Sequence, residues 1–197
     1  PNAAASGDSG IFGLPFEEAE SRLVYLPVPW EVTTSYGGGT SGGPEAILEA
    51  SKQVDLFDLD IFKPYDAGLF MRAPRPEIAT WNAEGKALAA AIIEVGGDLA
   101  LDPSRESELR RSLRRVNELS AQLNDLVYHD TQKLIRSGKM VGLVGGDHST
   151  PFGSIRAHAE SFQDLGVLHF DAHSDTRIAY EGFEDSHASI MYNVLTR

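Results

Sequence analysis

MVGLVGGDHST at residues 140–150 and LGVLHFDAHSD at 165–175, joined by a stretch of helical pattern from Thr150 to Phe162, decide how this chain folds. Met140 to Val144 and Leu165 to Phe170 are short apolar runs of strand length, so the segment reads as strand, helix, strand. A βαβ unit makes its two strands parallel neighbours covered on both faces. In such sheets ligands sit beyond the carboxyl ends of the strands. Both runs end in polar groups there: Gly145-Gly146-Asp147-His148-Ser149 after the first, Asp171-Ala172-His173-Ser174-Asp175 after the second. The fold class predicted is α/β, a three-layer arrangement with a mainly parallel sheet.

Working outward, Arg22 to Val28 is a β-branched and aromatic run closed by prolines and reads as a buried first strand. It leads into a glycine-rich loop, PWEVTTSYGGGTSGG at 29–43, and Pro44 opens a helix over PEAILEASKQ at 44–53. VDLFDLDIF at 54–62 reads as another strand. Asp102 can cap a much longer helix with Pro103 in its first position. Leu109, Leu113, Val116, Leu119, Leu123, Leu126 and Val127 recur at spacings of three and four and share one face, and Gly138 follows as a stop signal. The opposite face carries Arg110, Arg111, Arg114 and Arg115 interleaved with Glu106, Glu108 and Glu118, which reads as a solvated face or a subunit contact. Residues 1–20 show neither period and read as an extended arm, with Ile11, Phe12, Leu14 and Phe16 available to pack on a neighbour. Residues 21–197 read as belonging to a single domain, without repeats.

Composition narrows the function. The 197 residues are 42% hydrophobic and 23% charged, the balance of a globular chain, and no stretch is long and apolar enough to span a bilayer as a helix. Seventeen Lys and Arg against twenty-nine Asp and Glu leave a net charge of −12. That disfavours nucleic acid and a membrane surface and suits a small cationic ligand. There is no cysteine, so thiolate nucleophiles, disulfides and cysteine metal sites drop out, and a reducing, cytoplasmic setting fits.

The chemistry lies in the two loops. Alternate residues of an extended segment point the same way, so Asp171, His173 and Asp175 converge, and His148 at the neighbouring strand end can join them. Carboxylates and imidazoles held together call for a neutralising cation, and this mixture of donors suits Mn, Ni, Co, Fe or Zn better than calcium. The number of carboxylates hints at two ions, which together acidify a shared water and point to hydrolysis.

VGGDHS at 144–149, FDAHSDTR at 170–177 and SHAS at 186–189, in that order, resemble the ureohydrolases: arginases, agmatinases, formimidoylglutamases and guanidine hydrolases. YLPVPWEVTTSYGGGTSGGPEAI, at 25–47, extends the resemblance across most of 22–195. The resemblance implies a binuclear centre of Ni or Mn, with His148, Asp171 and Asp175 on one ion and Asp171 and His173 on the other. It implies that Asp175 also orients the attacking hydroxide, and that His187 shuttles a proton to the leaving amine. The family's later S-x-D-x-D-x-x-D-P motif, with two further aspartate ligands, does not occur in these residues. The chain is therefore expected to be the N-terminal part of a longer hydrolase, truncated and inactive alone.

The implied reaction is attack on a guanidinium carbon with release of urea. The loop after the first strand resembles the guanidine hydrolase branch, in which Thr33 or Thr34 would bind a small substrate; the same residues could merely shape a turn. Free guanidine is the first expected substrate and agmatine the second, and a homotrimer or homohexamer is implied by the resemblance. Two other readings remain: a non-catalytic family member serving as a binding subunit, and a deacetylase-like amide hydrolase sharing the broad architecture.

Overall fold

A computed structural model gives the structure of residues 9–197. At its centre is a parallel sheet of strands β1 (Leu23–Val28), β2 (Leu69–Met71) and β3 (Met140–Gly145), in the order β2-β1-β3. Val24 pairs with both Phe70 and Val141, and Val28 with Gly145, so β1 is the central strand. Its alternation separates the two faces. Val24 and Leu26 pack with Leu134 of the long helix, while Tyr25 points the other way, against Phe12 with ring centroids 6.2 Å apart.

Among the described residues five α-helices surround the sheet: α1 (Gly43–Ser51), α2 (Pro76–Glu94), α3 (Glu106–Arg136), α4 (Phe152–Ser161) and α5 (Ile190–Thr196). α3 is the backbone of one outer layer. Its stripe of Leu109, Val116, Leu119, Leu123 and Val127 is buried together with Val28, Trp30 and Val32 from the end of β1 and Ile78, Ala89 and Ile92 from α2. Burying a large aliphatic side chain stabilises by about 1.5–3 kcal/mol, so this shared cluster dominates the core. α1 and the N-terminal segment cover the other face, where the backbone N–H of Phe12 donates to Ser51 Oγ at 2.9 Å. From Ile11, itself buried, the N-terminal arm packs on this chain; residues 1–8 of that arm lie outside the described residues.

The structure departs from the sequence reading in four places. Residues 54–62 form no strand. Asp55 Oδ1 accepts from the N–H of Phe57 at 2.9 Å, and Asp58 Oδ1 accepts from those of Asp60 and Ile61 at 2.8 and 2.9 Å. These side chains take donors that a ladder would need, and Leu59 is left 90% exposed. Residues 165–170 likewise form no strand: among the described residues no strand pairs with the outer edge of β3, and Phe170 is 88% exposed. A strand without a neighbour leaves its backbone groups to water. The long helix starts at Glu106 rather than Pro103, because Asp102 Oδ1 closes a turn onto the Ser104 hydroxyl and the Arg105 N–H at 2.6 and 3.3 Å. α2 has no counterpart in the sequence reading, although Pro76 in its first turn and the run LAAAII at 88–93 are helix-compatible. On α3, Arg110 pairs with Glu106 and Arg115 with Glu84 of α2, so part of the basic row ties two helices together.

Candidate metal centre and adjoining cavity

The loop after β3 is built around Asp147. Its Oδ1 accepts from the N–H and the hydroxyl of Ser149 at 2.9 and 2.5 Å, and its carbonyl accepts from Thr150 Oγ1 at 2.9 Å. Burial pushes the Asp147 carboxyl up from its ordinary value. Its own N–H donates to Trp30 O at 2.7 Å, tying the loop to the one after β1. Gly146 makes this approach possible, since a Cβ there would sit 1.8 Å from Trp30 O.

Pinned in this way, His148 meets the 171–175 segment. Its Nδ1 lies 2.6 Å from Asp175 Oδ2 and 3.2 Å from Asp171 Oδ2. Donor atoms of His148, His169, Asp171 and Asp175 all lie within 4.8 Å of one another. His169 stacks on His148, ring centroids 5.2 Å apart, and its Nε2 is buried, 3.8 Å from Asp171 Oδ2 and without a hydrogen-bond partner. An orphaned buried nitrogen beside two carboxylates is what a cation-binding donor set lacks until it is filled. The His173 backbone N–H, 2.8 Å from Asp171 Oδ1, and the neighbouring imidazoles hold the Asp171 carboxyl below its ordinary value, so it stays ionised.

Three of the four expected ligands therefore converge. The fourth, His173, has its side chain 82% exposed with Nδ1 3.4 Å from Asp171 Oδ1, and His169 stands in the cluster instead. The same alternation that links 171, 173 and 175 includes 169, so His169 was legible in the sequence.

Beside the cluster opens a cavity of about 380 Å³ lined by His173, Asp175, Arg177, Tyr180 and His187 among others. Asp175 belongs to both the cluster and the cavity wall. His187 is held by Thr33, whose hydroxyl oxygen accepts from the His187 N–H at 3.1 Å and lies 3.5 Å from its Nδ1. Thr33 is fully buried, and the Thr34 hydroxyl is 3.3 Å from Glu31 O, so both are turned inward to the loop.

Glu31 anchors that loop. Only 3% exposed, it accepts from Lys86 Nζ of α2, from the Ser41 N–H at 2.9 Å and from Thr40 Oγ1 at 3.1 Å. Burial alone would raise its pKa; the ammonium and the two further donors outweigh burial and hold it at about 2. A depressed carboxylate pKa stabilises the fold above its unfolded value, and that contribution is lost as pH falls from about 4.5 to 2. In Glu31→Gln, urea denaturation is expected to show about 2–3 kcal/mol less stability at pH 7 and a flatter decline across that window. Equal slopes for both proteins would exclude Glu31 as the source.

A parallel α/β sheet with His148 beyond the end of β3, meeting His169, Asp171 and Asp175 next to an open cavity, presents a donor set of the kind that holds a metal ion. Residues 21–197 match the arginase family, and the chain belongs to it. It is similar to an N(1)-aminopropylagmatine ureohydrolase of Thermus thermophilus, 33% identical over 94% of this chain and 51% of that protein. The agmatinase of Bacillus subtilis strain 168 is 29% identical over the same shares. A crystal structure of a putative agmatinase from Clostridium difficile shares the fold, with a TM-score of 0.60 at 18% identity over 90% of this chain and 51% of that one. The chain spans about half the length of these relatives.

Proposed function

We propose that the protein hydrolyses a guanidinium C–N bond and releases urea, using divalent ions held by His148, Asp171 and Asp175, with His169 or His173 as the further imidazole. The observation that carries this is the double role of Asp175, which is 2.6 Å from the His148 ring and also lines the cavity containing His187. The membership in the arginase family and the ureohydrolase and agmatinase names of its relatives support the same reaction.

Two ions, Ni or Mn, would supply a water acidified towards neutrality. The remaining work falls to this chain's residues. Asp175 accepts a hydrogen bond from the attacking water and orients it towards the guanidinium carbon. The ionised Asp171, with Asp175 beside it, favours a cation at that point, which suits a guanidinium that keeps its proton. As the C–N bond breaks, His187 gives the departing nitrogen a proton, leaving urea and an amine or ammonia. The Thr33 hydroxyl, which accepts from the His187 backbone N–H and lies 3.5 Å from its Nδ1, positions the ring that must make this transfer.

Guanidine, suggested by the loop after β1, and agmatine, suggested by the relatives, are both members of the class. Urea release by the complete polypeptide, loaded with Ni or with Mn and given guanidine, agmatine and arginine in turn, tests the reading. Urea from at least one is expected; none under either metal would leave a non-catalytic binding subunit as the better description.

A further inference from the structure

Resting on that reading, in which His187 protonates the departing nitrogen, we propose that Glu181 is a positioning residue that acts through His187, its carboxylate fixing the ring and keeping the proton on it. Glu181 stands in the 3-10 turn Tyr180–Gly182, between the FDAHSDTR and SHAS motifs. The turn is strained and clamped. Ala179 and Glu181 have φ of 44° and 55°, in the left-handed region that such residues occupy only where their surroundings hold them. Behind the turn, a Cβ on Gly97, in the connection between α2 and α3, would lie 2.5 Å from Glu181 Cα. The Asn117 side-chain amide of α3 donates to Gly182 O at 3.3 Å. In front, the Tyr180 N–H donates to Ser189 Oγ at 3.4 Å and the Arg177 N–H to Ala188 O at 3.1 Å, which ties the segment to the loop carrying His187. The Tyr180 ring meets the His187 ring edge-on, with centroids 5.9 Å apart.

This backbone presents an uncommitted carboxyl group. Oε2 of Glu181 is shut off from solvent and meets no hydrogen-bond donor among the described residues. Burial pushes the Glu181 carboxyl up from its ordinary value and the charge of His187 pulls it back, so the two side chains lie within reach of each other's field. The other groups facing His187 are engaged elsewhere or uncharged. Thr33 brings a hydroxyl. Asp147 also feels the charge of His187, but its Oδ1 is bound to Ser149 in the loop that carries His148. Asp175 is paired with His148, and His173 lies against Asp171. Arg177 is stacked on Tyr180, its guanidinium carbon 4.9 Å from the ring centroid, and as a permanent cation it works against a charged His187. Glu181 offsets it. An anion opposite an imidazole favours the protonated ring, the form that gives up a proton as the C–N bond breaks.

The test uses the complete polypeptide and Glu181→Gln, which keeps the size of the side chain and removes its charge. In the metal-free protein the NMR signal of the His187 ring, assigned by its loss in His187→Ala, is followed through pH. Its midpoint is expected to fall by about one pH unit in Glu181→Gln. Glu181→Asp, which keeps the charge in a residue that tolerates left-handed backbone, should restore most of that shift. In the metal-loaded protein, kcat for urea release by Glu181→Gln should be about tenfold lower at the alkaline end of its pH profile, with KM changed less than about twofold and melting unaltered. A midpoint that stays in place overturns the proposal even where kcat falls, since a purely structural role lowers activity without moving it. A kcat profile that Glu181→Gln leaves unchanged overturns it as well. Absence of urea from guanidine, agmatine and arginine in the unaltered protein removes the ureohydrolase reading instead, while the ring titration still decides whether Glu181 and His187 are paired.

Discussion

In the complete polypeptide, Asp175→Asn is expected to weaken binding of Mn(II) or Ni(II) by at least about a hundredfold and to abolish the proposed urea release while the protein stays folded. The exchange is nearly isosteric and removes the charge alone. Asp175 adopts a left-handed backbone with φ of 48°, a conformation that asparagine tolerates as readily as aspartate, so the turn is not disturbed. Its carbonyl continues to accept from the N–H groups of Met191 and Tyr192 at 3.0 and 3.3 Å, which keeps α5 docked. What disappears is the anionic oxygen 2.6 Å from His148 Nδ1. Calorimetric titration of the metal-free protein and elemental analysis of the loaded one read the loss directly, and retained affinity would exclude Asp175 as a ligand. His173→Ala has a narrower expected outcome, a fall from two ions per chain to one with the tighter site kept. Unchanged stoichiometry there, with loss in His169→Ala, would assign the second imidazole to His169.

A large effect on stability is expected at Gly153, near the start of α4. A Cβ at this position would lie 2.1 Å from the carbonyl oxygen of Asn124 and 2.8 Å from the backbone nitrogen of Tyr128, both on α3. Backbone atoms of a helix cannot swing aside as a side-chain tip can, so α3 and α4 must separate. Gly153→Ala should cost about 3 kcal/mol or more, and melting should shift down by roughly 6–12 °C in a chain of this size. Gly138 provides the comparison. Its φ is 75° but nothing lies within 4 Å of a Cβ there, so Gly138→Ala carries only the left-handed penalty of about 1–2 kcal/mol. Similar melting temperatures for the two variants would contradict the close helix approach.

What the sequence made legible follows what is local. β1, β3, α1 and α4 were readable because their apolar periods and glycine or proline punctuation act over a few residues. The two strand assignments that failed, 54–62 and 165–170, are apolar enough for strands. Strand formation depends on a partner and a cover that composition does not encode, and in the first case the interleaved aspartates bond the backbone themselves. The candidate site was readable through His148, Asp171, Asp175 and His187, which sit in short motifs and lie in or beside the cluster. The anchors beneath them were not: Glu31 finds Lys86 55 residues away, and Thr33 finds His187 154 residues away. Asp147 stands in the same motif as His148, but its burial, which makes it a scaffold for the loop, is a tertiary fact.

The strand order β2-β1-β3 has a consequence for synthesis. β1 is made first, yet both its neighbours come later, and Leu23 must wait for Met140 across about 117 residues. At translation rates of about 5–20 residues per second, the central strand of the sheet spends roughly 6–25 s without its β3 partner on the growing chain. During that interval Val24, Leu26 and Val28 have no α3 to bury them, since the helix that covers this face ends only at Arg136. The nascent segment around β1 thus leaves apolar side chains uncovered during that interval, and the β1–β3 ladder can form only once β3 has been made.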